Sequence, residues 1–246
     1  MGQCLTLAKP IVEKAAKDVA EAAATALKES LQSNAGTAAQ ETSGPSSKLS
    51  GDKTGAIHAS LPDDAEKHTV RNVYDGDTLT LTDERRVRLL GIDTPEIKEQ
   101  QPFAQEAKAY TKDHCDKREI WISYEPGGEK HDHYGRLLCF VWVASGDGFL
   151  CINEGIIENG FARAYHPGKG DHLHNWNTMI QLQSKARKEK IGIWANFKDL
   201  KVVKTANGSA YHKRSCQHLA DVRNLTVIMA SEATEKGLHP CRTCLS

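Results

Sequence analysis

Residues 87–96 read VRLLGIDTPE. Val87, Leu89, Leu90 and Ile92 have the texture of a buried strand, yet they enclose Arg88 and run into Asp93 and Glu96. An unpaired charge in a core is costly, so the ordinary outcome is a buried ion pair. The alternative is a site that handles phosphate and a metal. Thr94-Pro95 ends the strand, because proline cannot continue a central ladder. Arg88 and Asp93 are five positions apart, which puts them on opposite faces of a regular strand. If both serve one site, the chain must bulge or twist near Gly91.

The preceding stretch, VYDGDTLTLTD (73–83), alternates Leu79 and Leu81 with threonines, a strand pattern. It begins with Asp75-Gly76-Asp77. In consecutive antiparallel strands the start of one lies near the end of the next, so two acidic turns converge. Carboxylates gathered in this way repel unless a hard cation joins them, and oxygen donors favour Ca²⁺ or Mg²⁺. Asp132-His133-Tyr134-Gly135-Arg136 then precedes the strand LLCFVWV, which brings a second arginine to a strand start. Two guanidinium forks around one pocket suit a phosphate that gains charge during reaction.

Further along, Gln101–Asp116 has helical spacing, EIWISYE and RLLCFVWVAS read as strands, and 172–190 end in the charged helix SKARKEK. Ile193 and Trp194 look like anchors returning to the core. Short strands with about three helices imply a β-barrel under helical cover, an α+β arrangement.

The chain divides by composition. Residues 1–31 hold an Ala-rich amphipathic helix, and 32–67 are Gly/Ser-rich and read as a flexible linker. Residues 68–200 carry the motifs above, and 201–246 form a small tail. Of the 246 residues, 26% are charged, with 32 basic balancing 32 acidic. Lys+Arg against Asp+Glu is 7 to 9 for 1–67, 18 to 20 for 68–200 and 7 to 3 for 201–246. A near-neutral body argues against a protein that merely coats nucleic acid by charge. The first residues lack a secretory signal and no stretch is long enough to span a membrane, which points to an intracellular protein. MGQCLT nonetheless fits a myristoylation pattern at Gly2 with Cys4 open to palmitoylation, a two-chain membrane tether in a eukaryote.

The seven cysteines do not form an even disulfide framework. Cys115, Cys139 and Cys151 lie in apolar contexts and read as buried thiols. In the tail, His212-x3-Cys216 and Cys241-x2-Cys244 match a structural Zn²⁺ site of one histidine and three cysteines. His212 is preferred to His218 and His239 on spacing alone. A segment this short cannot bury much core, so a metal would supply folding free energy.

VYDGDTLTLT, RVRLLGIDTPE, DHYGRLLCFVWV, NEGIIENGFARAY and KARKEKIGIWA, in that order, resemble the thermonuclease family typified by staphylococcal nuclease, over about residues 68–197. The resemblance implies an OB-fold barrel of five strands with three helices. It also implies a Ca²⁺-dependent endo/exonuclease that acts on DNA and RNA and leaves 3′-phosphate ends. Asp77, Asp93 and the Thr94 carbonyl would then hold calcium, with Asp75 supporting them. Glu96 would activate water, Arg88 and Arg136 would clamp the phosphate, and Tyr134 and Tyr165 would line the nucleotide pocket. His133 departs from the family, where a lysine often stands. The tail resembles the metal-binding module of the Ada DNA-repair protein, except that His212 replaces its methyl-accepting cysteine. That leaves a DNA-gripping accessory as the better reading. The rival to an enzyme is a catalytically inactive nuclease-like barrel that binds nucleic acid. It expects losses among Asp77, Arg88, Asp93, Glu96 and Arg136, all of which are present.

Overall fold

Alternating apolar residues in the central segment produce strands that close on one another. The computed structural model describes residues 56–166 and 173–245. In chain order the strands are β1 (Ile57–His58), β2 (Glu66–Val73), β3 (Thr78–Leu81), β4 (Arg86–Leu89), β5 (Ile92–Asp93), β6 (Glu119–Ser123), β7 (Leu137–Ser145), β8 (Gly148–Cys151) and β9 (Arg163–Ala164). Neighbours run β7-β4-β3-β2-β6, and β6 pairs with β7 again, closing a five-stranded barrel. The β4–β7 pair is parallel and the other barrel pairs are antiparallel. This is the OB-type barrel expected from the sequence. A register shift between Val70 and Asn72 bends β2, as closure requires. Leu79, Leu81, Val87, Leu89, Ile120, Ile122 and Phe140 are fully or almost fully buried and fill the interior.

Three helices cover the barrel: α1 (Ala104–Cys115), α2 (Ile152–Glu158) and α3 (Trp176–Lys188). In α2 every residue is buried, including two acids. Glu154 accepts hydrogen bonds from Asn175 Nδ2 at 2.9 Å and pairs with His58 Nε2 at 2.8 Å. Glu158 meets Lys185 Nζ at 3.0 Å. Cys115, Cys139 and Cys151 are buried, and burial pushes the Cys115 thiol up to about 12.

Asn153 on α2 fastens the helix to the barrel. Its Oδ1 accepts from Val141 N–H at 2.8 Å, while Nδ2 donates to Leu90 O at 2.8 Å and Cys139 O at 3.2 Å. Asn153→Leu leaves a buried N–H without an acceptor and should destabilise the fold by about 2–4 kcal/mol. The check is the urea midpoint at unchanged m; a loss within about 0.5 kcal/mol of zero would show that the side chain is not a structural pin.

The linker reading of 32–67 runs too far. Ala56 is fully buried, Ile57 and His58 pair with Leu150 and Phe149, and Glu66-Lys67 already belong to β2. These few apolar residues among polar ones gain burial only through a distant strand, so local composition hid them. The expected N-terminal helix, the acylation pattern and linker residues 32–55 lie outside the described residues. No helix among the described residues is long and apolar enough to cross a membrane.

After a 3₁₀ turn at Gly192–Trp194, where Trp194 is fully buried, the chain forms a second, four-stranded sheet. Its strands are β10 (Lys201–Lys204), β11 (Ala210–His212), β12 (Thr226–Met229) and β13 (His239–Pro240), ordered β12-β10-β11-β13, with a short helix α4 (Ala230–Glu235). This sheet is tied to α3: Gln183 Nε2 donates to Thr234 O at 3.1 Å, and Arg187 pairs with Glu235 at 2.6 Å.

Candidate active site and metal centre

The acidic turn forms because Asp75 caps its own loop. Tyr74 N–H donates to Thr78 O at 2.9 Å, and Asp77 N–H donates to Asp75 Oδ1 at 3.2 Å. A Cβ on Gly76 would sit 2.8 Å from both Ala107 Cβ and Thr94 Cγ2, so only glycine lets the turn approach α1 and the Thr94 loop this closely. Across the β3–β4 hairpin, Thr78 lies opposite Arg88. The two acidic turns therefore meet as the sequence suggested.

The strand through Arg88 breaks at Leu90-Gly91, between β4 and β5. Gly91 takes φ +79°, a left-handed conformation that side chains disfavour, and a Cβ there would fall 2.7 Å from Leu173 Cδ1. This is the twist that the five-residue spacing demanded. Arg88 now reaches back over the break. Its Nη1 donates to Leu89 O at 2.7 Å and Nη2 to Ile92 O at 2.9 Å, and Nη2 lies 3.2 Å from Asp77 Oδ2. Asp77 is buried and fully engaged: Thr78 Oγ1 donates to Oδ1 at 3.0 Å, and Thr94 N and Oγ1 donate to Oδ2 at 3.2 and 2.9 Å. The buried ion pair thus exists, but within a cluster of acids that one arginine does not balance.

Asp93 is raised by burial and by Asp77, against the pull of Arg88 and Arg163. Burial and Asp77 likewise raise Asp75 to about 6. Carboxylates strained upward in this way are short of positive charge, and an oxygen-rich acidic set of this kind fits a hard divalent cation.

Arg88 and Arg136 line one cavity of about 290 Å³ together with Gly91, His133 and Tyr165. Parallel pairing of β4 with β7 brings the two arginines to the same barrel end. Arg136 is aimed by Asp132, which accepts from its Nε at 2.7 Å and its backbone N–H at 2.9 Å. Tyr165 is held beside the break by its N–H bond to Gly91 O at 2.8 Å. Of the expected residues only Arg88, Arg136 and Tyr165 line this cavity; Asp75, Asp77, Asp93 and Thr94 are not in its lining, although Asp77 touches Arg88, and Tyr134 and Glu96 stand further apart. Tyr134 is 73% exposed and packs its ring under Arg136, at 5.5 Å, rather than into the pocket. Glu96 has its N–H held by Gln101 Oε1 at 2.9 Å, and its carboxylate faces Arg242 at 3.4 Å.

Comparison with known proteins gives the family. The family model described as "Staphylococcal nuclease homologue" matches residues 86–196. Thermonuclease of Staphylococcus intermedius is 33% identical over 137 residues, covering 52% of this chain and 76% of that protein. The chain belongs to the staphylococcal nuclease homologue family. Endonuclease YncB of Bacillus subtilis is 27% identical over 150 residues, covering 58% of this chain and 68% of that protein. The SPbeta prophage-derived endonuclease YokF of the same organism is 31% identical over 139 residues, covering 52% and 43%.

The staphylococcal nuclease homologue match stops at residue 196, so a second donor cluster lies beyond it. One ligand atom each from His212, Cys216, Cys241 and Cys244 lies within 4.8 Å of all the others. His212 Nδ1 is 3.4 Å from Cys216 Sγ, and Cys216 Sγ is 3.9 Å from Cys241 Sγ. Tetrahedral zinc bonds imply separations of about 3.6 Å for N···S and about 3.8 Å for S···S, so the set fits Zn²⁺. His218 and His239 are turned elsewhere, to Thr243 Oγ1 and Pro240 O.

Sequence reasoning passed over two arginines. Arg163 lies opposite Asp93 in the β5–β9 pair, stacks over Trp194 at 5.4 Å and leaves a buried Nε without a hydrogen-bond partner. Its signal was the one that exposed Arg88, a cation inside an apolar run (FARAY). Arg242, between two cysteines of the cluster, reaches Glu96 and Glu99. No local pattern announces that contact.

Proposed function

We propose that the chain is a calcium-dependent nuclease that hydrolyses phosphodiester bonds of DNA and RNA and leaves 3′-phosphate ends. The observation that carries this reading is the single cavity shared by Arg88 and Arg136, at the barrel end where the acidic turns meet. In this reading Asp77, Asp93 and the Thr94 carbonyl hold Ca²⁺, and Asp75 orients Asp77 through its backbone N–H. Bound there, the ion would supply electrostatic stabilisation of the phosphate in its transition state.

The chain's own groups do the rest. Arg88 and Arg136 grip the phosphate oxygens and neutralise charge as it develops. Displacement at phosphorus depends more on positioning and charge than on covalent help, and two pre-aimed guanidinium groups provide both. Glu96 orients a water and takes its proton. Its present partner Arg242 is a half-exposed pair, worth little, so the carboxylate can turn to the substrate at small cost. Tyr165 lines the nucleotide pocket, and Tyr134 meets the strand from the exposed rim. Residues 68–200 are read as the nuclease module, and 201–246 as a Zn²⁺-bound module that grips nucleic acid.

The test is digestion of plasmid and single-stranded DNA and of RNA, in calcium and in an excess of EGTA, with end groups identified by mass spectrometry. Cleavage confined to the calcium lanes with 3′-phosphate products is expected. Equal cleavage in chelator, or none anywhere, overturns the reading.

A further inference from the structure

A groove of about 560 Å³ runs beside the acidic site, within the size range of about 300–1,000 Å³ typical of ligand clefts. One wall is the loop Pro95–Phe103, another the return segment Gly192–Leu200, and the third is the C-terminal sheet. Four cations line it, namely Arg163, Lys198, Lys213 and Arg242, while no aspartate or glutamate does. Arg242 is met by Glu96 and Glu99 and Arg163 stands opposite Asp93, so Lys198 and Lys213 supply the unbalanced positive charge that marks a surface for an anion. Lys198 and Lys213 have no carboxylate partner among the described residues, and Arg163 Nε is buried without an acceptor. Phe103 and Phe197, both part-exposed, add aromatic faces. Cations interleaved with aromatic rings are the composition of single-strand nucleic-acid tracks, where bases stack and phosphates are neutralised.

The groove neighbours the acidic site through two of its lining residues. Pro95 stands between Thr94 and Glu96, and Arg163 pairs in register with Asp93. Its far wall depends on the four-donor cluster: Lys213 follows His212, and Arg242 lies between Cys241 and Cys244. We propose that this groove binds the single-stranded segment flanking the cleaved phosphate, so that the C-terminal module forms a wall of the substrate track and is not a separate gripping domain. The proposal rests on the nuclease reading for what lies next door, but not for the binding itself.

The experiment measures fluorescence anisotropy of a labelled oligothymidylate with the full chain in calcium-free buffer without chelator, so that zinc is retained. Lys198→Ala/Lys213→Ala protein should bind about tenfold more weakly. The slope of log affinity against log salt should fall by about 1.4, two contacts at about 0.7 each. Arg242→Ala should add a further loss with zinc content unchanged by elemental analysis. An unchanged affinity and slope in both variants, or no binding by the wild type, overturns the proposal; so does binding of an acidic peptide in preference to the oligonucleotide. A wild type that binds the oligonucleotide through these residues yet cleaves nothing in calcium leaves the groove standing and removes only the nuclease reading.

Discussion

Arg88→Ala is expected to lower phosphodiester turnover by about 10²–10³-fold, the usual cost of removing one donor aimed at developing charge. Arg88 has two tasks that the variant loses together. It faces the cavity that Arg136 shares, and it spans Leu89 O, Ile92 O and Asp77 across the break at Gly91. Calcium affinity should not weaken, because the substitution removes a positive charge from beside Asp77 and so lessens repulsion of an incoming cation. The expected pattern is therefore a collapse of kcat with calcium binding retained, read by single-turnover kinetics and by calorimetric titration with calcium. Arg88→Lys should also fall by at least about tenfold, since an ammonium cannot present the planar fork that these contacts use. A near-normal kcat in Arg88→Ala protein would sink the phosphate role and leave Arg88 as the structural ion-pair member first considered. Wild-type-like calcium binding with lost turnover would separate the arginine from the acids around it.

The second large effect concerns the tail. The wild type should contain one zinc per chain, and Cys241→Ser should lose it. The apolar clusters of this region are small: Val202, Tyr211, Ile228, Ala230 and Ala233 in one, Val203 and Leu219 with two of the cysteines in the other. Such cores cannot hold a segment this short, whereas structural zinc contributes on the order of 10–16 kcal/mol in apparent folding free energy. Hydrogen exchange read by mass spectrometry should then show protection lost over 201–245 but kept in β2–β7, whose core is independent of the cluster. The ties from Gln183 and Arg187 to Thr234 and Glu235 are too few to replace the metal. Full protection of 201–245 in the zinc-free variant would show that the sheet folds on its own.

The acidic site was legible because its anomalies are local. A cation inside an apolar strand, Asp-Gly-Asp ahead of an alternating strand, and a five-residue spacing that needs a twist all stand within twenty-two residues, 75–96. The four-donor cluster was legible for the same reason, since paired ligands at x3 and x2 are a short-range pattern. Asn153 was not legible: a polar residue in INEG reads as helix surface until two backbone groups of β7 and one at the β4–β5 break converge on it. Ala56 and Ile57 look like linker until β8 covers them.

The sequence by itself determined the strands, the order of the motifs, the need for a break at Gly91 and the residue types at both sites, because alternation, turn chemistry and ligand spacing act between near neighbours. Only the tertiary structure decided that β6 closes onto β7, that two acids of α2 are buried and met by the part-exposed His58 and Lys185, and that Arg242 crosses 146 positions to meet Glu96. The physical reason is that pairing and charge contacts depend on which surfaces the closed barrel leaves facing each other. A residue's own neighbours in the chain carry no record of that choice.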